Sequence, residues 1–97
     1  MAGNKGTTPK AVDLSNGTIT VSEKAVTLSG VFINVVLSAH SVAIKNGTDT
    51  LFTIPASAAA GNSYDCDNAE FTDNLIVEPN ASGTGNITLT FKPMAQG

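Results

Sequence analysis

From Thr18 to Lys92 the chain alternates polar and apolar residues in short runs, and no stretch spaces its apolar residues at the three- and four-residue intervals of an amphipathic helix. Thr18 to Ser22 predicts a half-buried strand with Ile19 and Val21 on one face, and Val26 and Leu28 continue the pattern beyond Glu23-Lys24. Val31 to Leu37 is nearly continuous in apolar and β-branched residues, which predicts a central strand covered on both faces. Ser41 to Lys45 and Thr50 to Ile54 flank Asn46-Gly47-Thr48-Asp49, the strongest local signal in the chain: a hairpin turning at an Asn-Gly pair. Pro55 closes its second strand. The alanine-rich Ala56 to Gly61 reads as a loop or a single helical turn.

Asn62 to Asp73 is polar and acidic around Tyr64 and Phe71, and predicts a short strand or two with a turn at Asp67-Asn68. Leu75 to Glu78 is a short apolar strand ended by Pro79. The turn-rich Asn80 to Gly85 joins it to the alternating Asn86 to Lys92, so these last two strands are expected to form a second hairpin. Six to eight short strands with regular turn signals predict an all-β fold, an antiparallel sandwich or small barrel. The expected core is Ile19, Val21, Phe32, Val35, Leu37, Ile44, Phe52, Ile76, Leu89 and Phe91.

Composition narrows the function more than the fold. Ninety-seven residues make one domain, 41% apolar and only 13% charged, so disorder driven by charge is excluded. A chain this short hides a modest fraction of its surface, which favours help from a partner subunit. Met1 to about Leu14 holds few apolar groups and reads as an extended N-terminal arm, residues 1–14, ahead of a β-sandwich domain, residues 15–97. With net charge −3, five Lys and no Arg, the chain lacks the basic footprint of a nucleic-acid binder. The N-terminus has no apolar segment of a targeting signal and Ala2 precedes Gly3, so neither secretion, lipidation nor membrane anchoring is expected.

Candidate chemistry is sparse. His40 is the sole histidine; Ser38 and Ser41 flank it, but triad chemistry needs a carboxylate in a shared cleft, so a surface histidine is the reading taken and no catalytic residue is assigned. Asp65, Asp67, Glu70 and Asp73 crowd together and are the calcium candidates, yet their spacing does not match an EF-hand, and a solvated acidic loop is preferred. No metal or other cofactor is therefore assigned. Cys66 lies between two aspartates that raise a thiol pKa, which predicts a small, unreactive, at least half-buried side chain. The Asn-x-Ser/Thr sequences at Asn16, Asn46, Asn80 and Asn86 are read as turn chemistry rather than glycosylation sites. Gly83-Thr84-Gly85 lacks the helix and Lys of a phosphate loop and reads as a hairpin turn.

The strand Gly30 to Leu37, the hairpin around Val42 to Gly47, the Asp73 to Val77 segment and the closing Gly85 to Phe91 together resemble small β-sandwich virion proteins of tailed bacteriophages, the group that includes capsid decoration or cement proteins. The resemblance covers about Gly30 to Lys92 and brings no catalytic residues. It implies a jelly-roll-like sandwich that acts as a structural virion protein on the capsid surface, a homotrimer bound to the major capsid protein or other virion subunits. Within that reading Lys5 and Lys10 of the arm meet acidic surface, while Ala11, Val12 and Leu14 fill apolar grooves on a neighbour. A tail, neck or fibre component is the alternative. A secreted carbohydrate-binding or adhesion module is a further one, disfavoured by few aromatics and no Trp.

Overall fold

Among the described residues, eight strands divide between two layers because each carries one apolar face that must meet another. The computed structural model describes residues 8–94. The strands are β1 (Thr8–Asp13), β2 (Ile19–Ser22), β3 (Val26–Val35), β4 (Val42–Asn46), β5 (Asp49–Ile54), β6 (Ser63–Phe71), β7 (Leu75–Pro79) and β8 (Asn86–Pro93), with one 3-10 turn at Leu14–Asn16. One sheet has the order β1-β8-β3-β6 and the other β2-β7-β4-β5, every pairing antiparallel. Strands one to four thus pair with strands eight to five, as in a long hairpin rolled up on itself. That is the jelly roll.

The core between the sheets is built from Val12, Leu14, Leu28, Ile33, Ile44, Phe71, Leu75, Val77, Ile87, Leu89 and their neighbours, and it contains no buried polar or charged residue among those described. Ile19, Val21, Phe52, Tyr64 and Phe91 pack around its margin. Alternation of burial along β8, with Ile87 and Leu89 inward, follows the sequence pattern directly.

Residues 8–14 are not an arm. Thr8 to Asp13 pair with Phe91 to Asn86, and Val12 and Leu14 lie in the core, so the sandwich begins at β1 rather than at residue 15. The Leu14 N–H continues the ladder to the Gly85 carbonyl at 2.9 Å. Asp13 accepts from the Ser15 N–H at 3.0 Å and from Ser15 Oγ at 2.7 Å, capping the turn into β2. The side-chain bond from Ser15, then the backbone one, pulls the Asp13 carboxyl below its ordinary pKa.

The expected β7–β8 hairpin does not form. β7 lies in one sheet and β8 in the other, and Asn80 to Gly85 is a corner between layers. Gly85 has φ 121°, and a Cβ there would stand 2.7 Å from Leu37 Cδ2 and 3.0 Å from the Val36 carbonyl, so the corner closes only on glycine. The predicted β4–β5 hairpin does form, with Gly47 at φ 61° in the turn. Asn46 ends β4 instead of turning: its Oδ1 accepts from the N–H groups of Asp73 (2.8 Å) and Asn74 (3.3 Å), while the Gly47 N–H donates to Asn74 Oδ1 at 2.7 Å. The β4–β5 turn is thereby fastened to the β6–β7 turn.

Bulges decide which side chains face out. In β3, Val26 and Leu28 point inward, and plain alternation would send Gly30 and Phe32 after them. A register shift between Leu28 and Gly30 reverses the parity, so Val31 and Ile33 face the core and Phe32 faces out. A second shift, between Ile33 and Val35, leaves Val35 exposed as well. Phe32 and Val35 therefore leave the expected core, and β3 is covered on one face only. Ile76 leaves it too, since Leu75, Val77 and Pro79 are the buried residues of β7.

Candidate functional site

The sequence-derived candidates are scattered. His40 sits half-buried in the β3–β4 connection and makes no hydrogen bond or ion pair among the described residues. Its neighbour Ser38 is committed to structure: its N–H donates to the Thr84 carbonyl (3.1 Å), its Oγ accepts from the Thr84 N–H (3.1 Å), and its carbonyl accepts from the Ser57 N–H (2.8 Å). Ser38 ties three connections together at one end of the sandwich.

The acidic segment is a strand, not a loop. Asp65, Asp67 and Glu70 are strung along β6 and Asp73 lies in the following turn, and no three His, Cys, Asp or Glu converge among the described residues. Asp67 and Asn68 form a bulge with φ 54° and 56° instead of the expected turn. Asp65 caps it by accepting the Asp67 N–H at 2.8 Å, and Ser29 Oγ donates to Asn68 Oδ1 at 3.1 Å from the opposite strand. Gly30 allows β3 to approach there, for a Cβ would stand 2.9 Å from the Tyr64 carbonyl. The acids thus shape a strand edge rather than a cation cage.

Of the residues assigned to assembly, Lys5 lies outside the described residues. Lys10 and Ala11 are exposed on β1, whereas Val12 and Leu14 belong to the chain's own core and are not available to a neighbour's groove.

Two surfaces stand in their place. The outer face of the β1-β8-β3-β6 sheet carries Phe32, 44% exposed, with Val35 and Val36 at 53% and 54% beyond it. Ser63 and Thr88 flank Phe32 across the sheet, and Ala11 follows Thr88. Beside it Asn34 Nδ2 donates to Asn86 Oδ1 and Thr88 Oγ1, both at 2.7 Å, which holds the polar neighbours in a fixed array. An apolar centre within a polar surround is interface anatomy. Sequence reasoning missed it because Phe32 and Val35 look like core until the two bulges are known.

The second surface is a cleft of about 330 Å³ where the two sheets part between β5 and β6. Val31, Ile44, Phe52 and Ile54 line it, Cys66 is buried against it, and Tyr64 and Asp65 border it. Burial, and secondarily the charge of Asp65, pushes the Cys66 thiol above its ordinary pKa of 9.0. Because the folded chain holds the proton more tightly, this group's contribution to stability is complete below the unfolded pKa and is lost as pH rises through the folded one. Iodoacetamide should therefore alkylate native protein with an inflection at higher pH than urea-unfolded protein; a lower inflection in the native state would contradict the buried placement.

No helix among the described residues is long and apolar enough to cross a membrane. Comparison with protein-family models, with curated proteins and with solved structures finds no match to the chain.

Proposed function

We propose that the protein is a non-enzymatic structural component of a virion, a capsid decoration protein that binds and stabilises the shell of a tailed phage as a trimer. The observation that carries the reading is the outward placement of Phe32 and Val35 on the sheet face beside Ser63, Thr88, Asn34 and Asn86, with Val36 exposed just beyond the end of β3. Aromatic anchors with a polar rim are what a protein interface uses, and arginine, the other common anchor, does not occur in this chain. Jelly rolls serve both capsid and lectin domains, so the fold adds support only by analogy. The shell position rests on the sequence resemblance. A small domain gains most from such a role when several faces share the load, because stable interfaces take roughly 1,200–2,000 Å² in total.

Phe32→Ser tests the reading without threatening the fold, since surface changes stay within about 0.5 kcal/mol. Attachment to shells assembled from the major capsid protein is expected to weaken about thirtyfold, as for a hot-spot residue worth about 2 kcal/mol. Copy number relative to the shell protein in purified particles separates a shell component, present in hundreds of copies, from a tail, neck or fibre part, present in a handful. Unchanged attachment by the variant would remove this face from the mechanism. One observation favours a second reading, a carbohydrate-binding module: an exposed aromatic beside the fixed amides of Asn34 and Asn86 suits a sugar ring. Glycan binding that Phe32→Ser abolishes would establish that one instead.

A further inference from the structure

The cleft between β5 and β6 lies at the opposite edge of its sheet from β1, and its walls end on two strands that each have a neighbour on one side only. An edge strand offers unpaired N–H and C=O groups to another chain, and natural edges are commonly blunted against that. Three edges here carry such devices: β1 contains Pro9, β2 has four residues, and β5 bulges at Leu51 between Lys45 and Ile44 of its partner. β6 is bulged at Asp67-Asn68, but its first third, Ser63 to Asp65, is regular.

The direction of the backbone groups follows from the ladder. Ile33 donates its N–H to the Asn62 carbonyl at 2.8 Å, and Val31 stands opposite Tyr64. Alternate residues of an antiparallel strand face opposite sides, so Asn62 and Tyr64 address β3 while Ser63 and Asp65 turn their N–H and C=O groups to the open edge. Directly beside them lies the apolar cleft.

Charge then selects what can enter. Between Asp49 and Val77 the sequence holds Asp49, Asp65, Asp67, Glu70 and Asp73, and no Lys, Arg or His. Asp65 borders the cleft, and Asp65, Asp67 and Glu70 are all exposed along β6. A small apolar molecule would use the cavity and ignore both the free backbone and the acids. An extended basic peptide uses all three.

We infer that this edge is a docking site for an extended peptide segment of a partner protein, basic in character, which adds as a strand beside Ser63–Asp65 and seats one large apolar side chain in the cleft. The inference does not depend on the virion reading, and its site lies at the strand edge rather than on the outer face carrying Phe32.

The test uses the full chain, labelled with nitrogen-15, and three blocked heptapeptides. The first is Lys-Val-Thr-Phe-Thr-Val-Lys, the second replaces both lysines by glutamate, and the third is the first with alternate backbone nitrogens methylated. The lysine peptide is expected to shift the amides of Ser63 to Cys66 and of Thr53 and Ile54 with a Kd below about 1 mM, an affinity within reach of a short peptide. The double variant Asp65→Asn with Asp67→Asn keeps the Asp65 oxygen that caps the bulge. It should weaken that peptide about two- to fivefold, what an exposed ion pair supplies. The methylated peptide should not bind, because it cannot complete the strand. No shift at 1 mM, equal binding of the glutamate or methylated peptide, or shifts confined to Phe32 and its neighbours would each overturn the inference.

Discussion

Phe71→Ala is expected to lower the free energy of unfolding by about 3–5 kcal/mol, the range for deleting a fully buried aromatic ring. Phe71 is 0% exposed, it ends β6 opposite Val26, and its ring stacks on Phe52 with centroids 6.4 Å apart and planes inclined by 25°. It therefore bridges the sheets, since β6 belongs to one and β5 to the other. The cavity left by alanine cannot close from either side, because β6 is fastened through the next turn to Asn46 of β4. A domain of this size has roughly 5–15 kcal/mol to lose, and a loss of 1 kcal/mol moves its midpoint by about 4–8 °C. Thermal unfolding should accordingly shift downward by at least about 12 °C. Phe71→Leu keeps most of the volume and should cost much less, about 1.5 kcal/mol or under. If alanine and leucine prove equally mild, the ring is not the bridge described.

The strands were legible in the sequence because alternation is local: β2, β4, β5, β7 and β8 each announce themselves within four to eight residues. Their partners were not. Leu75–Pro79 and Asn86–Pro93 are joined by turn-forming residues and read as a hairpin, yet each finds its neighbours elsewhere, β7 between β2 and β4 and β8 between β1 and β3. Pairing in a jelly roll joins positions far apart in the chain, and no short-range pattern encodes it. The exposed apolar face was hidden for a related reason. Phe32 and Val35 carry the same residue types as core positions; only the two bulges in β3, fixed by the neighbouring β8, turn them outward. Asp67-Asn68 looked like a turn because Asp and Asn tolerate positive φ, and they do adopt it, but inside a strand. The cleft left still less trace, since its lining comes from β3, β4, β5 and β6 and exists only once the sheets are stacked.

The segment ahead of residue 15 gives the sharpest contrast between the two readings, and Leu14→Ala decides it. If residues 1–14 were an arm awaiting a neighbour, Leu14 would be exposed in the free protein and its truncation would change stability by no more than about 0.5 kcal/mol. In the fold Leu14 is 1% exposed, and its N–H extends the β1–β8 ladder to Gly85. Removing its side chain should therefore cost about 2–5 kcal/mol, the range for a buried leucine. The backbone bond survives the substitution, so the loss measures packing alone. Lys10→Ala, exposed on the same segment, is the matched control and should stay within about 0.5 kcal/mol. Hydrogen exchange adds the spatial answer. β1 pairs with β8 alone and joins the two ends of the chain, so Leu14→Ala should release the amides of Val12 and Leu14 before those of β3, whose protection comes from neighbours on both sides. A loss confined to chemical denaturation, with β1 amides as protected as β3, would mean that the strand is held by something other than its buried face. A loss below about 0.5 kcal/mol would return residues 8–14 to the role of an arm, and with it Val12 and Leu14 to the surface that meets a neighbour.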